Sequence, residues 1–383
     1  MNPKPKRKAP QQLLIFSPGL DRDYRKSVSE RFWSDLRNHN VSLILDTNVL
    51  ININNAYRTT ERHKQLSLIG LPEIAARIKR YAGKGLNLSV GNSLSEAPLF
   101  LREHIYFSYL SFFNDYIGDW RWLHQPAKVN THFPLKRSET VERSFSALPD
   151  HLKLIMAPDY SSLLYISIIQ SFISARDIEK FEFYLYLVER ELDLVSAKSK
   201  SIARYAFAPE LGMDDNLRTF RSLCRKNFAP TGLRDLKEIE RAALNGVFDF
   251  NLILTSEILQ SESDITREIN GVGNVYIATY DRKLHQFCKM SPSYIRHDKL
   301  MERALQTHED IKKTSYWSRT LELMVASARR RGTYRALHPD FDRALRIATN
   351  YSKLINEGSV VSHILDHFAA FSLLTKSQTT TTH

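Results

Sequence analysis

A chain of 383 residues is long enough to bury a large core, as one elaborated domain or as two. Hydrophobic residues at 43% and charged residues at 25% are the balance of a globular protein, not of a low-complexity one, and only two cysteines, Cys224 and Cys288, rule out a disulfide framework or a cysteine-based zinc site. The formal charge of +12 favours polyanionic partners such as nucleic acid, and the cysteine usage makes the reducing cytoplasm the expected location.

Residues 1–12 contain Pro3-Lys4-Pro5-Lys6-Arg7-Lys8 and read as a disordered basic tail. The same run suits a nuclear localisation signal or a phosphate-contacting arm, and no long apolar segment follows to make it a signal peptide. Leu13 to Phe16 is a short apolar piece ended by the turn signal Ser17-Pro18-Gly19. Asp21 to Asn38 is patterned as a helix, with Val28, Phe32, Trp33 and Leu36 on one face. Val41–Leu45 follows as a strand whose apolar run suits burial on both faces, and it stops abruptly at Asp46-Thr47-Asn48. Val49 to Ile53 and Gln65 to Tyr81 read as helices, the second closed by Gly83 and Gly85. Leu86 to Val90 is a second strand. It leads into Asn92-Ser93-Leu94-Ser95-Glu96-Ala97-Pro98, in which Ser93 and Glu96 fit a helix capping box.

From Phe100 to about Asn245 the sequence is aromatic and mostly helical, without a fixed-period repeat. Loops are expected at Asp119-Trp120-Arg121-Trp122 and His132-Phe133-Pro134, and the aromatic residues are expected in the core. Leu163 to Ala175 is the most apolar stretch, but Gln170 interrupts it and no run reaches the length of a membrane span, so no membrane association is expected. Asp249 then opens an apolar helix through Ile258, Gly271 and Gly273 break the chain, and Asn274 to Asp281 is a buried strand ending in Thr279-Tyr280-Asp281. Residues 298–372 are helical again, with a basic run at Arg329, Arg330 and Arg331, and Thr379 to Thr382 is a low-complexity tail.

Asp46, Glu96, Asp249 and Asp281 each stand at a strand end or a helix start. Strands of a parallel sheet present their carboxyl ends on one side, where α/β sheets carry ligands. Carboxylates gathered there cannot all ionise without compensation, so one protonates or the group binds a cation. Oxygen ligands without cysteines or paired histidines select a hard ion, Mg²⁺ or Mn²⁺. Each residue also has a structural reading: Asp46 and Asn48 as helix caps, Glu96 as the far half of a capping box, Thr279 as an ordinary strand residue.

These elements together resemble the PIN-domain nuclease family. Its pattern of strand then Asp-x-Asn, Ser-x-x-Glu, an Asp opening an apolar helix, and a later Thr-x-Asp is matched by Asp46-Thr47-Asn48, Ser93-Leu94-Ser95-Glu96, Asp249, and Thr279-Tyr280-Asp281. The match covers roughly residues 40–98 and 245–290. The resemblance implies an α/β fold, a PIN-like α/β/α sandwich with a mostly parallel central sheet, interrupted by a large helical insertion and followed by a helical C-terminal extension. On that reading 1–12 is the basic tail, 13–98 and 245–297 are the two parts of the PIN-like domain, 99–244 is the insertion, 298–374 the extension and 375–383 a disordered tail. It further implies Mg²⁺- or Mn²⁺-dependent phosphodiester hydrolysis, of RNA more than DNA, with Asp46, Glu96, Asp249 and Asp281 as metal-binding catalytic acids and Asn48, Thr279 and Ser93 in support.

The stretch between Glu96 and Asp249 is longer than such a domain needs, so Asp235, Asp264 and Glu257 stay open as third acids. Arg282 and Lys283 are expected on a solvated first helical turn, and His285 on a helix surface. A regulatory protein or a second copy is a further expected partner, and a toxin or defence role is analogy alone. The competing function is a non-catalytic PIN-like scaffold binding RNA or protein. A haloacid-dehalogenase-type phosphatase is disfavoured because Asn48 stands where that chemistry needs a second acid.

Overall fold

A computed structural model describes residues 12–18, 28–38, 40–81, 86–97, 99–117, 144–193, 196–210, 212–230, 232–233, 235–261, 274–290, 294–295, 300–301, 315–337 and 340–380. Most of the basic N-terminal segment, the two expected aromatic loops, Asp264, Gly271 and Gly273 lie outside these residues. In chain order the elements are β1 (Leu14–Phe16), α1 (Val28–Asn38), β2 (Val41–Leu45), α2 (Thr47–Tyr57), α3 (Arg62–Leu68), α4 (Leu71–Tyr81), β3 (Leu86–Ser89), α5 (Gly91–Glu96) and α6 (Leu99–Phe112). After a π-helical turn at Phe113–Ile117 and a short 3₁₀ turn at Phe145–Ala147 come α7 (Asp150–Phe172), α8 (Asp177–Leu187), a second π-helical turn at Val188–Leu192, α9 (Ala197–Phe207), α10 (Asp215–Phe228) and α11 (Leu236–Ser261). β4 (Asn274–Thr279), α12 (Arg282–Met290), β5 (Tyr294–Ile295), β6 (Leu300–Met301), α13 (Ser315–Leu337), α14 (Phe341–Asn356) and α15 (Val360–Thr380) complete the chain. It divides into two compact units, residues 1–141 with 252–301 and residues 142–251 with 302–383.

The first unit is mixed α/β around a four-stranded sheet in the order β1-β4-β2-β3. β4, β2 and β3 run parallel and β1 is antiparallel to β4, with Leu14 opposite Thr279. All five residues of β2 are buried, which is why its sequence reads as an apolar run: a central parallel strand has no solvent face. Alternation sorts the strands, so that Val41, Leu43, Leu45, Leu86, Leu88, Tyr276 and Ala278 share one core with Phe32 and Leu36 of α1, Val49 and Ile53 of α2, Ala75 and Ile78 of α4 and Ile105 of α6. Asp35 pins α1 to the sheet by accepting from Tyr276 Oη at 2.6 Å and from Asn274 Nδ2 at 2.8 Å. The helix expected over Gln65 to Tyr81 is two, α3 and α4, because Gly70 adopts φ 71° between them, a conformation that side chains with a Cβ resist.

The unit extends beyond Pro98, where the sequence reading ended the first part. α6 packs on α2, and the π-helical turn after it packs on α4, with Asp115 Oδ2 accepting from Tyr57 Oη at 2.7 Å.

The second unit is helical. α7 is its central helix, with Tyr160 through Ile169 buried without a break, and α14 is a main partner along it. Buried Glu240 of α11 ties three segments together: its Oε1 accepts from Phe145 N at 3.1 Å, Tyr160 Oη at 3.1 Å and Ser352 Oγ at 2.8 Å. By length and composition Asp150–Phe172 and Leu236–Gln260 are long and apolar enough to cross a membrane, which corrects the expectation that no segment is. Their most apolar windows are 78% and 56% buried inside the protein, the property of core helices, which pass the same test of length and composition.

Candidate active site

The parallel strands deliver their carboxyl ends to one side of the first unit. From β2 the chain leaves towards β3, whereas from β4 it leaves into α12, which packs against β1 at the opposite side of the sheet. The ends of β2 and β4 therefore flank a topological switch point, the place where open α/β sheets form a crevice. Asp46 follows β2, and Thr279, Tyr280 and Asp281 end and follow β4.

Asp46 extends the ladder by one bond, donating from its amide to Ala278 O at 2.9 Å, and its φ of −68° and ψ of 153° turn the chain into α2. It occupies the N-cap position, yet its side chain makes no cap bond. The carboxylate instead faces β4: Thr279 Oγ1 and Asn48 Nδ2 both donate to Oδ2 at 2.5 Å. Asn48 also donates to Thr279 Oγ1 at 3.0 Å, and its Oδ1 accepts from Tyr280 N at 3.0 Å. The Thr279 hydroxyl accepts from Asp281 N at 2.8 Å. Asn48 and Thr279 are thus bridging residues between two strand ends, and neither is a helix cap or a passive strand residue. Among the described residues both side-chain donors to Asp46 fall on Oδ2, and the Thr47 backbone amide bonds the carboxylate as well.

Glu96 reaches the same place by a different route than a capping box. Helix α5 begins at Gly91, with Leu94 N donating to Val90 O at 2.9 Å, so Ser93 is inside the helix. The chain enters the helical turn directly from β3, two residues before the capping signal. Ser93 Oγ donates to Leu45 O at the end of β2, and Thr47 Oγ1 donates to Glu96 Oε2 and lies 3.2 Å from Ser93 O. Arg102 holds the turn after α5 through Nη2 to Ser95 O at 2.5 Å and Nε to Ala97 O at 2.9 Å. Thr47 and Arg102 were not singled out by the sequence; Thr47 had a signal in its position beside Asp46, Arg102 had none.

Asp281 caps α12, its Oδ1 accepting from Lys283 N at 2.7 Å and Leu284 N at 3.1 Å. Arg282 and Lys283 are exposed beside it. His285 is half-buried and stacks edge-on against Phe16 at 5.2 Å, so it is not a surface histidine; burial and the Lys289 charge lower its pKa.

Asp249 departs from its expected position. It lies in the interior of α11, thirteen residues after Leu236, and belongs to the second unit. The sequence suggested a helix start there because an apolar run through Ile258 follows it, but α11 already begins at Leu236 and runs unbroken through Gly246. A Cβ on Gly246 would meet Leu163 Cδ1 at 2.8 Å and Phe228 Cδ1 at 3.2 Å, so the glycine serves a close helix approach, not a break. Glu257, further along α11, falls in the first unit and is buried.

Burial pushes the Asp46 carboxyl up to about 7, against the lowering effect of the Thr279 hydroxyl, and the negative charges of Glu96 and Asp281 add to the rise. The three acids therefore share one electrostatic site. They do not crowd a single point: among the described residues no group of three acids, histidines or cysteines at this end of the sheet has all its ligand atoms within 4.8 Å of one another. Negative charge gathered in this way favours a proton or a cation at Asp46. Comparisons of the chain with family models, curated proteins and solved structures return no match.

Proposed function

We propose that the chain is a PIN-like, divalent-metal-dependent nuclease that hydrolyses phosphodiester bonds of RNA. The observation that carries this reading is the meeting of Asp46, Glu96 and Asp281, from three separate stretches of sequence, at the switch point of a parallel sheet. The donor set is all oxygen, which suits Mg²⁺ or Mn²⁺. Its loose spacing suits an ion that keeps several waters and takes only one or two carboxylates directly. Asp46, Glu96 and Asp281 would hold the ion, which when bound supplies Lewis-acid stabilisation of phosphate oxygens and a more acidic water.

The chain's own residues do the positioning. Asn48 and Thr279 fix Asp46 Oδ2, and Thr47 fixes Glu96, so the acids are set before substrate arrives. Exposed Arg282 and Lys283 offer positive charge next to Asp281 for the phosphate backbone. The third acid expected from chain order is tested by comparing Asp249→Asn with Glu257→Gln for loss of Mn²⁺-dependent cleavage.

The test is incubation of the full chain with single-stranded RNA and DNA, with and without Mn²⁺. Cleavage of RNA that chelator abolishes, and that the paired variant Asp46→Asn with Asp281→Asn lacks, is expected. No cleavage, or cleavage surviving in that variant, refutes the reading. If calorimetry also finds no Mg²⁺ or Mn²⁺ binding, the non-catalytic scaffold replaces it.

A further inference from the structure

The second unit contains another group of ligating side chains, which the nuclease reading does not use. His363 and His367 stand one turn apart on α15, so their rings lie on one face of the helix. They face Glu191, and one ligand atom from each of the three falls within 4.8 Å of the other two. His367 Nε2 lies 3.1 Å from Glu191 Oε1, and the two imidazole rings are 4.7 Å apart. Two ligands of a tetrahedral zinc ion stand about 3.3 Å apart, given metal–ligand bonds of about 2.0–2.1 Å. The His–Glu pair is already at that separation.

The carboxylate is held for this purpose. Glu191 is 9% exposed, and Tyr165 Oη and Tyr351 Oη (the latter at 2.9 Å) both donate to its Oε2. Oε1 is thereby the oxygen turned to His367. Ligating carboxylates are ordinarily fixed by such outer hydrogen bonds. Glu191 also sits in the π-helical turn Val188–Leu192, which ends at Asp193 with φ 52°. π-Turns insert a residue into a helix and recur at functional sites. This one is anchored on both sides: Arg343 donates to the carbonyls of Arg190 and Glu191, and Arg330 pairs with Glu189 at 2.7 Å.

The geometry points to a transition-metal site of the zinc class formed by Glu191, His363 and His367, with Tyr165 and Tyr351 orienting the glutamate and a fourth position left to water or an external ligand. Two nitrogens and one oxygen favour a borderline ion over Mg²⁺. Binding needs the Nε2 lone pair of His367, so the proton on that nitrogen moves to Nδ1 when the imidazole is neutral and leaves to solvent when it is imidazolium. The site clips α15 to the π-turn.

The test uses the full, untagged, chelator-stripped chain with Zn²⁺ and Co²⁺ as probes. One Zn²⁺ per chain is expected in the Asp46→Asn variant as well as in the parent, because the carboxylate site of the first unit is not involved. His363→Ala with His367→Ala should lose that stoichiometric ion, and Tyr351→Phe should bind at least about tenfold more weakly. The parent's Co²⁺ complex should show the intense visible bands of a four- or five-coordinate ion, a readout that needs no variant to fold. Absence of stoichiometric Zn²⁺, an unchanged affinity in the double-histidine variant, or a Co²⁺ spectrum like that of the hydrated ion overturns the site.

Discussion

Asp46 sits where a carboxylate is expensive to ionise, and this has a measurable consequence for stability. Its carboxyl is raised from 3.8 to about 7 by burial first and by Glu96 and Asp281 after. Between those two values the folded chain keeps a proton that the unfolded chain releases, so stability falls as pH rises through that window and the full loss is present above about 7. The lost stability is on the order of 4 kcal/mol at most. In chelator, Asp46→Asn is therefore expected to be more stable than the parent at pH 8 and to lose that advantage near pH 4, measured by urea unfolding at both. Saturating Mn²⁺ should restore the parent at pH 8 and leave the variant unmoved; a parent with a flat pH profile would show that the site is not electrostatically strained. A second buried acid behaves differently. Glu240 accepts from Phe145, Tyr160 and Ser352, and Glu240→Ala would leave three donors unsatisfied, a loss of roughly 3 kcal/mol or more in denaturant unfolding. Asp46, Asn48, Thr279 and Asp281 were legible because the signal is local: a polar residue ending an apolar strand. Glu240 was not legible because its partners lie far away in sequence, and the one-turn spacing of His363 and His367 acquires a meaning only from Glu191, which no local pattern ties to them.

At the level of elements, the strands and helices carried by strong periodicity could be read directly, and the failures have identifiable causes. β2 and β4 were read almost to their ends because central parallel strands are apolar throughout. β1 was only a short apolar piece, since three residues carry too little alternation and its antiparallel partner lies some 260 residues away. The capping box at Ser93 and the helix start at Asp249 were each good local signals overridden by tertiary packing. Gly246 makes that override testable. Replacing it by alanine gains up to about 1 kcal/mol of intrinsic helix stability. The new Cβ, however, would stand 2.8 Å from Leu163 Cδ1 and 3.2 Å from Phe228 Cδ1, both on fully buried side chains, so the packing must shift to admit it. Overpacking of that kind costs about 1–3 kcal/mol. Gly246→Ala is therefore expected to lower the thermal midpoint, and Gly246→Val to lower it further. A rise in midpoint with alanine would show that the glycine is only a weak point in the helix.

For the whole molecule, the sequence carries the charge but not its placement. The surplus of +12 comes from counting residues, whereas the grouping of α6 with the first unit depends on its packing against α2, which no composition encodes. If the basic surplus serves a nucleic-acid substrate, binding must weaken with salt in a defined way. Neutralising Z phosphates of a single strand gives a slope of about −0.7Z in log affinity against log salt. A footprint of about four phosphates then costs roughly 50-fold in affinity between about 50 and about 200 mM monovalent salt. The measurement is fluorescence anisotropy of labelled single-stranded RNA on the Asp46→Asn variant, which keeps the substrate intact. Replacing both Arg282 and Lys283 by alanine should flatten the slope by one to two phosphate equivalents, because these exposed cations stand beside Asp281. A salt-independent affinity, or one unchanged by that replacement, would detach the basic charge from the acidic site and leave the surplus to a surface elsewhere on the chain.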